Sequence, residues 1–384
     1  MGVSLKGVEI IALLLAALTA QDAPPIRTAP PAAAPGQQLL QWTAQSAQCD
    51  GKTVSARLLH KSYPRLVAST MPSQSPVTLR FRIDGDGRPL SIRSDEGANN
   101  FLSQDVVPSL AASTFAVDTP QAQCTIRYFP VRTPLEIADP HALSAYAMFP
   151  GMPVLPREAW ARTQPRDANC ADGPPPRVRV RAYPDFLGFP GTPGARDWAI
   201  MRYDLNASGR PINIAVLDDS GNAALNAASV RAVRDSRFTP GARTGCTYRY
   251  WREAETIDPP PSPDAATFRP AGATCPPKLA WINRLPLVFP PSFLQRRVEG
   301  WAIVAYDVAP WGDVGNLRVM ASEPADGFGT QAMSILRQGK KPANGAGLPV
   351  ASRRSISPSR GTTWDPPRMT RSHGSGIRWG ARRT

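Results

Sequence analysis

At 384 residues and 42% apolar side chains, the chain can build two or three small cores. Its 43 prolines, about twice the usual share, fall largely between the pieces that could fold. The net charge of +14 is uneven: residues 351–384 carry eight arginines against Asp365 alone, and the mildly basic remainder excludes a nucleic-acid footprint.

Residues 1–20 read as an export signal, with Lys6, the apolar run Ile10 to Leu18, and Ala20 at the cut. Such a run cannot span a bilayer core, which needs about 20 apolar residues in a helix. The expectation is a mature protein beginning near Gln21 in the periplasm; the alternative is an inner-membrane tether by an uncleaved N-terminus. Residues 21–40 read as a Pro/Ala-rich linker, expected to be extended with polyproline II character over 21–36.

A threefold repeat follows. Cys49, Cys170 and Cys275 each precede an aromatic-Pro pair by thirteen or fourteen residues: Tyr63-Pro64, Tyr183-Pro184, Phe289-Pro290. Each pair leads to an apolar strand pattern, Val77 to Ile83, Trp198 to Leu205 and Trp301 to Val308, and each strand to a turn closed by Gly87, Gly209 or Gly312. A residue with φ > 0 at the hairpin exit explains the shared glycine. Helical stretches are expected over 224–233 and 329–336, and last strands begin at Cys124 and Cys246. Phe81 to Tyr203, Gly87 to Gly209 and Cys124 to Cys246 are all 122 residues apart, a register that marks repeated modules. The fold class expected is α+β: tandem modules of strand, hairpin, strand, helix and strand, each a short antiparallel sheet with a helix on one face. The boundaries read 41–135, 165–255 and 273–348, with a Pro-rich linker at 256–272.

In the third copy, the last strand and its cysteine are expected to be missing. Counting onward from Pro342 puts the cysteine near Leu348, where none stands, and residues 349–384 read as a basic disordered tail, as after a reading-frame change. Cys275 would then be an unpaired thiol.

The stretch Phe289-Pro290-Pro291, Gln295 through Glu299-Gly300-Trp301 to Val308, Asn316 to Val319, Ser322-Glu323-Pro324 and Leu336-Arg337-Gln338 resembles the C-terminal domain of the TonB family. The second copy resembles it more loosely, through Tyr183-Pro184, Asp197-Trp198 and Arg237 to Pro240. The resemblance implies a periplasmic domain that grips outer-membrane TonB-dependent transporters by adding an extended segment of the transporter to a sheet edge. The alternative is a periplasmic scaffold that reuses the modules without energy transduction. Phe289 and Pro290, with Thr247, Arg249, Tyr250 and Trp251 of the second copy's last strand, are the candidate partner-binding residues.

The cysteines follow the repeat, so the pairs expected are Cys49 with Cys124 and Cys170 with Cys246. No Cys-x-x-Cys accompanies His60, which argues against a metal. Asp84-Gly85-Asp86-Gly87 is followed by Arg88, which breaks the calcium-loop pattern, and has Asp95 where that loop needs a bidentate Glu, so it reads as a hairpin turn. Without a nucleophile elbow, phosphate loop or zinc-protease helix, the chain is not expected to be an enzyme, nor to take a cofactor, nucleic acid or small-molecule substrate.

Overall fold

The computed structural model describes residues 36–95, 101–149, 152–269, 273, 280–283, 285–286, 288–343 and 348–356, the last by backbone alone. The export segment, residues 21–35 of the linker, Cys275, and the tail from 357 lie outside the described residues.

The chain begins with short strands β1 (Gln37–Ala44), β2 (Ala47–Cys49), β3 (Lys52–Val54), β4 (Ala56–Leu58) and β5 (Arg65–Ala68). In β6 (Val77–Ile83), buried Val77, Leu79, Phe81 and Ile83 alternate with Thr78, Arg80 and Arg82, as a strand with one covered face requires. A hairpin leads to β7 (Pro89–Ser94), then α1 (Val106–Ala111), β8 (Thr114–Phe115) and the long β9 (Gln121–Pro134). Two connecting helices, α2 (Pro140–Ala147) and α3 (Arg157–Ala161), precede the second module. That module contains β10 (Val178–Val180), β11 (Asp197–Leu205), β12 (Pro211–Asp219), α4 (Ala223–Asp235), β13 (Arg237–Phe238) and β14 (Arg243–Arg252). The third has α5 (Pro291–Arg296), β15 (Trp301–Val308), β16 (Val314–Glu323), α6 (Asp326–Leu336) and β17 (Leu348–Ile356).

All three modules share one antiparallel order, with the first hairpin strand central: β7-β6-β9, β12-β11-β14 and β16-β15-β17. The fold is α+β, as the sequence pattern implied.

The expected loss of the third copy's last strand is corrected. Trp301 lies opposite Ile356 and Tyr306 opposite Ala351, so residues 348–356 complete the sheet. Phe81 faces Cys124 and Tyr203 faces Cys246 in the other copies, so Ala351 holds the cysteine position. Counting from Pro342 stopped short of it. Ser352-Arg353-Arg354-Ser355 hid the strand, because an edge strand is held by main-chain pairing and needs little apolar pattern. The first residues of the expected tail, from Pro349 to Ile356, therefore belong to the sheet.

The shared glycines have a backbone reason. Gly87, Gly209 and Gly312 have φ of 82°, 77° and 95°. Their carbonyls accept hydrogen bonds from the amides of Phe115 (2.8 Å), Phe238 (3.0 Å) and Lys341 (2.8 Å), the chain just after each helix. A Cβ at any of the three would strike the carbonyl oxygen of that same residue. Only glycine permits this approach. Four residues on, Ser91, Asn213 and Asn316 adopt φ near 50° at a bulge, and Asn213 and Asn316 donate to Asp204 (2.8 Å) and Asp307 (2.7 Å).

The first and third modules do not have separate cores. One buried cluster runs from Phe81, Ile92, Leu110 and Ile126 of the first module into Phe293, Val304 and Phe328 of the third. With six residues, α1 is too short to cover its sheet, and α5 and α6 complete the cover. The Ile92 amide donates to the Pro324 carbonyl (2.9 Å), and Glu323 accepts from the Ser91 amide (2.6 Å), the Ser91 hydroxyl (2.7 Å) and Arg82 (2.9 Å). The second module keeps its own cluster around Met201, Tyr203, Leu225 and Phe238. Among its ties to the others is Arg296, fully buried, which pairs with Asp105 and donates to the carbonyls of Gly194 and Lys61.

Candidate partner-binding edge

The last strand of each module runs along one edge of its sheet, so its outward amides and carbonyls need a partner. In the first module that partner is the chain itself. β1 pairs with the C-terminal half of β9, from Gln38 opposite Pro134 to Ala44 opposite Tyr128, and β2 brings Cys49 opposite Cys124. The edge is thus built to accept an added strand.

The second module leaves most of the equivalent edge open. The Asn169 amide donates to the Thr244 carbonyl (3.0 Å), Asn169 Oδ1 accepts from the Thr244 amide (2.7 Å), and the Cys170–Cys246 bridge pins this segment beside β14. Beyond Cys246, no strand among the described residues pairs with the outer side of β14. The outer side of β17 likewise has no paired strand among them.

Both expected disulfides are present, Cys49–Cys124 and Cys170–Cys246. They fit an oxidising environment.

The candidate side chains divide. Thr247 donates through Oγ1 to Gln164 (2.7 Å), and the Arg249 guanidinium lies 4.3 Å from the centre of the Trp160 ring. Tyr250 is buried, donates to the Ala182 carbonyl (3.1 Å), and burial pushes its hydroxyl up to about 12. Trp251 stays 40% exposed with the Arg196 guanidinium 4.5 Å from its ring centre. Phe289 meets Phe328 edge-on at 5.5 Å, and Pro290 caps α5. Those two are packing residues of the third module and do not join the β14 group.

The covering of Thr247 and Arg249 comes from the connector. Met148, at the end of α2, packs on Trp198 and Ile200 on the sheet face away from α4, while His141 Nδ1 meets Asp218 Oδ1 at 2.8 Å. Hydrogen bonding to Asp218 raises the His141 pKa. The sequence reading missed these helices, although Asp139-Pro140 was the signal: Asp139 caps α2 by accepting from the His141 amide (3.2 Å), with proline at the first helical position. The linker before the third module does the same service there, its Pro260 carbonyl accepting from Trp301 Nε1 (2.8 Å).

Among the described residues no three His, Cys, Asp or Glu side chains converge as metal ligands, and no helix is long and apolar enough to cross a membrane. No family model, curated protein or solved structure matches the chain.

Proposed function

We propose that this is a periplasmic, TonB-like protein that binds a protein partner by strand addition and serves TonB-dependent outer-membrane transport. One observation carries the reading. The same sheet edge recurs in all three modules, is filled in the first by the chain's own β1, and on β14 has no strand added beyond Cys246 among the described residues. The stretch from Phe289 to Val308 supports the family likeness, and the two bridges support export. Main-chain pairing would supply much of the binding, with side chains selecting the partner. The Arg296 junction, which joins the modules in one body, favours a second reading as an envelope scaffold without energy transduction.

Affinity purification of the tagged chain from envelope extracts, with hydrogen exchange on the complex, tests this. Recovery of an outer-membrane barrel, slowed exchange at residues 248–252 and loss of uptake on gene deletion are expected. Recovery of other envelope proteins with unchanged uptake would select the scaffold.

A further inference from the structure

The repeat supplies an internal control that exposes one difference in the second module. Beside β14, on the face that carries α4, Arg181, Tyr203, Ser236, Phe238, Tyr248 and Tyr250 line a small open pocket. The Ala182 amide donates to Ser236 Oγ (3.1 Å) just as the His60 amide donates to Ser113 Oγ (3.0 Å). Arg181 therefore stands where the first module has Leu59. Tyr248, two residues past Cys246, stands where the first has Ile126, two past Cys124. Leu59 and Ile126 belong to the apolar core. The second module thus places a cation and a phenol where an apolar pair closes its copy. The Arg181 guanidinium lies 4.1 Å from the centre of the Tyr248 ring, and no carboxylate pairs with it among the described residues.

We propose that this pocket reads an aspartate or glutamate side chain on the extended segment that adds to β14, an inference that rests on the strand-addition reading above. A residue placed opposite Tyr248 on an added strand has its Cβ about 5 Å from that of Tyr248 and points to the same face. Its side chain enters the mouth of the pocket. Tyr203 and Phe238 are buried beneath it, so the carboxylate stops at the mouth, where Arg181 offers its planar set of N–H donors. A lysine at that position would meet a like charge and be rejected.

A displayed library of random short peptides, selected on the full chain in parallel with Arg181→Leu and Arg181→Lys, tests this. Peptides selected on the natural chain should slow exchange at residues 248–252 and carry Asp or Glu at one fixed position. Exchanging that acid for its amide in a synthetic copy should weaken binding about tenfold. Arg181→Lys should keep the acidic preference; Arg181→Leu should erase it while peptides still protect β14. Protection of β14 without an acidic preference, or a preference that survives Arg181→Leu, overturns the pocket and leaves strand addition standing. If no peptide protects β14, both readings fall. The acid-to-amide comparison leaves the protein unaltered, so it stands even where a variant folds poorly.

Discussion

Arg296→Ala should cost about 3–5 kcal/mol of stability, because it strands a charge rather than because it removes a contact. Arg296 and Asp105 have side-chain exposures of 0% and 4%. Nε and Nη2 donate to the two Asp105 oxygens at 2.7 and 2.6 Å, Nη1 to the Gly194 carbonyl at 3.1 Å and Nη2 to the Lys61 carbonyl at 2.7 Å. The guanidinium also sits 3.9 Å from the centre of the Tyr63 ring. Truncation leaves the Asp105 carboxylate buried with the Tyr63 amide (2.7 Å) as its remaining donor, and two carbonyls lose theirs. The attraction within the intact pair is largely spent against desolvation, so Arg296→Met combined with Asp105→Leu should recover most of the loss. Urea unfolding followed by tryptophan fluorescence measures both. Since the same guanidinium touches all three modules, the natural chain should unfold in one transition and Arg296→Ala should separate the second module from the rest. A loss below about 1 kcal/mol, or a double variant as unstable as the single one, would refute the reasoning.

Three further outcomes are expected. His60 is buried with Nε2 unpartnered, and desolvation, then the Arg296 charge, lowers its pKa to about 4. The unfolded chain therefore takes the proton first: stability holds above about pH 6.5 and falls towards pH 4 by up to about 1.4 kcal/mol per pH unit. His60→Leu should flatten that slope in urea midpoints taken across the range. Gly312→Ala, which forces a Cβ against the Lys341 carbonyl at φ 95°, should cost about 1–3 kcal/mol, read from thermal unfolding. Ending the chain before Leu348 should speed amide exchange along Trp301–Val308; unchanged exchange there would remove β17 from the sheet.

The parts of the fold visible in the sequence were those with a local period. Val77 to Ile83 alternates cleanly because one face meets the core and the other meets water, and Ala224 to Val233 repeats at helical spacing. The cysteine pairs were visible because equal positions in two copies must lie equally in space. β17 was not, since Ser352 to Ser355 carry no apolar alternation. The union of the first and third modules was hidden for another reason: Gln295-Arg296-Arg297 reads as a solvated basic run, and only the tertiary fold turns Arg296 inward. The candidate edge left a still fainter trace. Its binding groups are amides and carbonyls, which every residue possesses, so Thr247, Arg249 and Tyr250 drew attention although the connector and core already engage them. Arg181 drew none, because its meaning depends on Leu59 in another copy.

The junction also sets a timetable. Arg296 follows Asp105 by 191 residues and Lys61 by 235. At a synthesis rate of about 5–20 residues per second, Asp105 waits roughly 10–40 seconds for its counter-ion after leaving the ribosome. Throughout that interval the first module holds an uncompensated carboxylate and the bare apolar surface that Phe293 and Phe328 will later cover. It cannot fold to completion behind the ribosome, however early its strands pair. The first module therefore stays incomplete until the third copy emerges, and the two mature only together.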